Sequence, residues 1–401
     1  MSLVDSAIKD LFAKLLGPLP TLTDVELEVL RNLWPVARLG KYCAVTRYAD
    51  VTTVLTDDLN FPTDYNAKLD VILGGQPFML GLPRGPQFNE AVAAMRSTMP
   101  ASDIPNLLVP ATLAAAKAGV AAGNGTLEVV SFIRDLTFTT LGAYFGTPAP
   151  KTGDMKAWAQ TLFKFLFADM GNDPALLAQA QSVGLQLRDY IDQLIAARKM
   201  ARGAGPDDVL GRALKLQAQG APGLSDIQIR TALAGFVVAG LPQPAMAAPQ
   251  ALNQLLDRPS ALAGAQKAAQ ANDDATFGAY FFEALRFQPL APFLMRQTVS
   301  DQVLAGHKIP AGTMVFAVIQ SAMMDGRVVK KPNDFDIRRP PDNYLSFGVG
   351  MHTCFAKAIN EATIPLMLKP LLANKTVKRA PGAAGQLVKV GPFAQSLVVN
   401  Y

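Results

Sequence analysis

Tyr344-Leu-Ser-Phe-Gly-Val-Gly-Met-His-Thr-Cys354-Phe-Ala356 carries one cysteine on a loop punctuated by Gly348 and Gly350. Glycine permits the left-handed turns that such a reversal requires. Phe355 to Ile359 follows with a helical pattern. A thiolate at the start of a helix faces free backbone N–H groups and the positive end of the helix dipole, which makes it a good metal ligand. Inert burial is the plainer reading of a lone cysteine, and the loop alone leaves both open. A dinucleotide-binding loop is excluded because its third glycine would fall at Thr353 and no strand-forming run precedes it. Structural zinc takes about four nitrogen or sulfur ligands, and the chain holds only Cys43, Cys354, His307 and His352.

The order Phe347-Gly348-x-Gly350-x-His352-x-Cys354-x-Ala356 resembles the haem-binding signature of the cytochrome P450 family. The resemblance implies haem b with Cys354 as the axial thiolate of its iron, a ligand that pushes electron density onto the metal and favours O–O cleavage. Ala356 stands where the family more often has glycine. Further upstream, Glu283-Ala-Leu-Arg286 places two opposite charges on one helix face; taken alone, such a pair is an ordinary surface bridge. Followed by Pro289, Arg296 and Phe335-Asp-Ile-Arg-Arg339, it resembles the family's buried Glu283–Arg286–Arg339 network, which locks the cysteine loop to the helices. Arg296 and His352 are then expected at the haem propionates, with Tyr344 as a further donor where the family commonly has histidine. The resemblance runs from about Tyr42 to the C-terminus.

Two departures bear on chemistry. The family's distal helix usually presents Ala-Gly-x-acid-Thr, whereas this chain reads Ala239-Gly240-Leu241-Pro242-Gln243. Ala239 and Gly240 leave room for a diatomic ligand, but both proton carriers are missing and Pro242 should kink the helix. The propionate-touching His and Arg of an earlier helix are replaced, in the best register, by Gln87 and Ala91. Phe78, Phe236, Phe293 and Phe393 fall where the family's pocket walls lie, although aromatic residues there also serve as plain core.

Composition sets the frame. Half of the 401 residues are hydrophobic and 17% charged, below the roughly 25% of ordinary proteins, so a large helical core is expected. The net charge of +5 is spread without Lys/Arg clusters, which argues against nucleic acid. Residues 1–16 contain Asp5 and Asp10 and lack a basic start or cleavage site; a packed amphipathic helix and a cytoplasmic protein are expected. Thr231 to Leu256 is uncharged but interrupted by prolines and amides, so no transmembrane segment is expected. Tyr42 to Arg47 alternates like a strand, which makes Cys43 chemically idle, and His307 beside a turn is expected in solvent.

The expectation is therefore a mainly α protein of the cytochrome P450 fold, a single domain over 1–401, with a helical core near 80–290 and β-rich parts near 40–60, 294–320 and 376–401. The expected function is oxygenation of an apolar small molecule with dioxygen or peroxide, drawing electrons from a separate, ferredoxin-type donor. Two alternatives stand beside it: a peroxide-dependent oxygenase or lipid hydroperoxide isomerase, to which Gln243 and the Arg379-Ala-Pro-Gly tail point, and a haem-binding protein without catalysis.

Overall fold

The computed structural model describes residues 3–16, 23–201, 204–391 and 393–401. Helices dominate between Pro86–Ser97 and Asp274–Phe287, as the patterning implies, and their sequence punctuation is chemically legible. Ser225 accepts a hydrogen bond from the Gln228 N–H while the Gln228 side chain returns to the Ser225 N–H, a capping box that opens helix Asp226–Gly240. Asp208 caps Val209–Ala218, and Pro174–Met200 ends in Arg198 and Lys199, complementing its dipole. The break after Gly240 falls where Pro242 and Pro244 remove backbone donors; the chain resumes as helix Pro244–Leu256. Leu127 lies on strand Thr126–Glu128, which pairs with Val398 to Asn400, and the next helix begins at Val129.

Four strands form one small sheet in the order Val36–Leu39, Tyr42–Val45, Met314–Ala317, Leu294–Gln297. The middle pair is parallel, with Cys43 opposite Val315, and the last pair sets Arg296 opposite Val315 from the other side. In the 40–60 region strand Tyr42–Val45 is followed by helix Tyr48–Thr56. Cys43 is fully buried and its thiol is pushed up to about 12 by desolvation, consistent with no chemistry. His307 is exposed. Val388–Val390 and Phe393–Ser396 form a two-stranded ribbon that packs against helix Pro244–Leu256.

Leu11 and Phe12 bury helix Leu3–Leu16 against the body. Asp226–Leu256 is long and apolar enough to cross a membrane, but 83% of its most apolar window is buried against protein. Ile104–Ala122 passes the same length and composition test with 17% buried, and its later part packs on helix Lys357–Leu372.

Candidate haem-thiolate site

The cysteine loop is held from three directions. The Cys354 N–H donates to the Phe347 carbonyl at 2.9 Å, closing the reversal, and Gly348 and Gly350 sit at φ +67° and +87°. At Gly350 a Cβ would lie 2.6 Å from the Leu55 carbonyl oxygen, so any other residue would push the loop off the helix Tyr48–Thr56. Phe347 packs on Phe282, next to Glu283.

Behind the loop, Glu283 and Arg286 are both fully buried. Arg286 forks onto both Glu283 oxygens at 2.8 and 3.0 Å and also donates to the carbonyls of Met323, Pro332 and Asp334. Glu283 accepts further bonds from Arg339 at 3.1 Å, the Asp336 N–H at 3.0 Å and the Tyr344 hydroxyl at 3.0 Å. The pair is therefore a buried network and no surface bridge. The Tyr344 hydroxyl, expected as a donor to the cofactor, donates instead to Glu283, which makes it part of this network.

Cys354 is partly buried. Desolvation pushes its thiol up, opposed by the Ala356 N–H, the Asn360 amide and the Arg96 charge. The helix-start argument is thus outweighed by burial in the free thiol. Asn360, on helix Lys357–Leu372, points its Nδ2 at Sγ from 3.7 Å. Sequence reading missed it, although its position six residues after the cysteine puts it on the first turn facing back.

Arg296 is 3% exposed, and burial holds its guanidinium below its usual range. One terminal nitrogen donates to its own neighbour's carbonyl, Met295, at 2.7 Å, while Nε is buried without a partner. The Ser346 hydroxyl in the cysteine loop is a second buried orphan. A buried guanidinium with no carboxylate partner is costly unless an anion completes it. His352 beside it is pushed down to about 4, first by burial and then by Arg296, and packs edge-on to Phe88 at 5.7 Å. From the earlier helix, Pro86–Ser97, it is Phe88 and Arg96 that meet the cysteine loop. Gln87 is exposed, whereas Phe88 meets His352 and Arg96 lies 4.0 Å from the Phe355 ring centroid. Phe88 and Arg96 are two i,i+4 steps apart, a spacing that identifies that face.

The aromatic quartet divides. Phe236 stacks on Phe355 at 5.4 Å and meets Phe78 edge-on at 6.5 Å, so both belong to the cysteine side. Phe293 lines a cavity of about 360 Å³. Phe393 stands behind that cavity's wall, edge-on to Phe163 at 5.5 Å. Gln243 lines the same cavity, and its side chain has no hydrogen-bond partner among the described residues. Ala239 and Gly240 are half-buried at the end of their helix, and the nearest atom to a Cβ on Gly240 would be Phe145 Cε2 at 3.9 Å, which leaves open space there.

A single sulfur donor and an uncompensated buried arginine fit an iron porphyrin with acidic side arms better than a multi-ligand metal. Among the described residues no group of three His, Cys, Asp or Glu side chains could hold an ion. The cytochrome P450 family model matches residues 158–389, more than half of the chain. The chain belongs to the cytochrome P450 family, whose cofactor is haem b held by a cysteine thiolate. It is 26% identical to the erythromycin C-12 hydroxylase of Saccharopolyspora erythraea over 338 residues, covering 82% of this chain and 81% of that one. A stretch of 121 residues, 29% of this chain and 9% of the other, is 31% identical to a bifunctional dioxygenase–epoxy alcohol synthase of Fusarium oxysporum. Against four other curated relatives the match spans 23% to 61% of their length. The fold superimposes on P450BioI, crystallised with an acyl carrier protein bearing hexadec-9Z-enoic acid, with a TM-score of 0.81 at 20% identity, covering 94% of this chain and 97% of that one.

If Arg296 holds a propionate, Arg296→Ala removes a charge-assisted bond of about 1.5–3 kcal/mol. Haem transfer to an excess of apomyoglobin should then run about ten- to a hundredfold faster. Unchanged transfer would show that other groups carry the propionates.

Proposed function

We propose that this chain is a haem-thiolate oxidoreductase that oxygenates an apolar small molecule, as one haem domain, with Cys354 as the iron ligand and Gln243 as the residue over the reacting oxygen. Haem held by a thiolate supplies the oxidising chemistry, because electron donation from sulfur favours O–O cleavage. The observation that carries the reading is the cavity shared by Gln243 and Phe293 to Met295, which abuts the strand bearing Arg296 and lies beside helix Pro244–Leu256. Its other walls include Phe163, Phe167, Met246 and Leu290, a lining suited to hydrocarbon. A cytoplasmic protein drawing electrons from a ferredoxin-type donor fits this reading.

A specific feature favours peroxide over dioxygen. Use of dioxygen requires two electrons and protons delivered to the distal oxygen, while a preformed peroxide already carries the electrons and a proton. General acid help is worth about a hundred- to ten-thousandfold, and neither Pro242 nor Gln243 titrates. The Gln243 amide can donate from nitrogen and accept on oxygen, enough to orient a peroxide or hydroperoxide.

The test is a comparison of oxidants on one substrate. Turnover with hydrogen peroxide or an organic hydroperoxide should at least match turnover with reduced nicotinamide and surrogate redox partners, and Gln243→Thr should not restore efficient dioxygen use while Pro242 remains. Tight coupling of nicotinamide oxidation to product, with negligible peroxide activity, would overturn the peroxide reading.

A further inference from the structure

Lys389 is the one charged side chain among the described residues lining the 360 Å³ cavity. It sits mid-strand in Val388–Val390, between two valines that are 45% and 54% exposed, so the alternation of the strand turns it inward. Its ammonium donates to Gln250 Oε1 at 3.0 Å. Gln250 is wholly buried, and its own amide nitrogen is spent on the Met246 carbonyl at 3.0 Å. No carboxylate pairs with Lys389 among the described residues, in contrast to Lys68, Lys156, Lys199 and Lys369, each of which meets an aspartate.

An ammonium has three donors, and one neutral acceptor is all that the described residues provide. Lys389 is half-buried, and partly desolvating such a cation without a counter-charge is unfavourable. The bond to Gln250 ties the ribbon to helix Pro244–Leu256, but a neutral side chain would do that without the desolvation cost. The missing element is an anion, and the remaining lining is predominantly hydrocarbon. Resting on the oxygenase reading above, we propose that the cavity takes an aliphatic carboxylic acid, its carboxylate paired with Lys389 and its chain laid along Met246 and Leu290 toward Gln243. Gln250 and Gln243 are seven residues apart on one helical stretch, about 10 Å at 1.5 Å per residue, so head group and reacting end are separated by a run of methylenes. Burial already holds the Lys389 ammonium below its usual range, and a bound carboxylate would oppose that shift.

Binding spectra on haem-loaded protein test this with three matched probes: lauric acid, methyl laurate and dodecylamine. Lauric acid should shift the haem spin state, and methyl laurate should bind about ten- to a hundredfold more weakly, the range for one charge-assisted hydrogen bond. Lys389→Met should erase that preference while leaving methyl laurate affinity within about twofold, since the apolar lining is untouched. Lys389→Glu should reverse the preference toward dodecylamine. A role confined to fastening the ribbon would lower all three affinities together and leave the acid-to-ester ratio unchanged. That result overturns the proposal, as does equal binding of acid and ester to the native protein, or no shift with any probe. A thiolate-type carbonyl band recorded on each sample separates this failure from failure of the haem-thiolate reading.

Discussion

Cys354→Ala is expected to abolish the red-shifted carbonyl band that reports a thiolate on reduced haem iron, and with it all turnover. The substitution removes little packing, since the side chain is only partly buried and its Sγ meets the Asn360 amide at a long 3.7 Å. The folded structure should therefore survive, and circular dichroism with a thermal midpoint close to the native one would separate loss of ligation from loss of fold. Cys43→Ala is the control. That sulfur lies in the sheet between Ala44 and Tyr42 with its thiol held protonated by burial, so the carbonyl band should be unchanged. Retention of the band in Cys354→Ala, or its loss in Cys43→Ala, would remove the basis for the assigned site.

The second large effect is expected at Glu283 and Arg286. Removing one partner of a buried, hydrogen-bonded ion pair costs about 3–5 kcal/mol, a large part of the roughly 5–15 kcal/mol that stabilises a domain. Arg286→Ala leaves the Glu283 carboxylate buried and strips donors from the carbonyls of Met323, Pro332 and Asp334. Glu283→Ala leaves two buried guanidinium groups, those of Arg286 and Arg339, and frees the Tyr344 hydroxyl. Either protein should be recovered with little haem and a lowered denaturant midpoint. Arg286→Lys should fare little better, because an ammonium cannot reproduce the planar fork onto both oxygens. Normal haem content in either alanine variant would mean that the network does not hold the loop. Tyr344→Phe should be mild, since it deletes one neutral donor and leaves the carboxylate four others.

The parts of the site legible in the sequence are those written in short-range spacing. Gly348, Gly350 and Cys354 define a loop by their separation, and Glu283 and Arg286 share a helix face because they are three apart. The prolines at 242 and 244 locate the break beneath Gly240, since a missing N–H is a local property of the chain. Contacts between distant segments have a different origin. Register places Gln87 and Ala91 where the family commonly has its propionate-touching His and Arg, but it does not show that the adjacent residue, Phe88, packs its ring against His352. Tyr344 stands where the family commonly has a histidine, which suggests a cofactor donor, but a buried carboxylate 61 residues earlier accepts its hydroxyl.

The sequence by itself determined the family-defining loop, the mainly helical architecture and the absence of a titrating acid at Pro242 and Gln243, because glycine, proline and helical periodicity constrain the backbone wherever they occur. Tertiary structure alone decided which side chains acquire a partner and which are left without one. Gln250 and Lys389 meet across 139 positions, and Arg339 reaches Glu283 across 56. Neither the unanswered charge of Lys389 in an apolar cavity nor the partnerless Nε of Arg296 can be read from spacing. Both follow from desolvation, which depends on everything packed around a group and not on its neighbours along the chain.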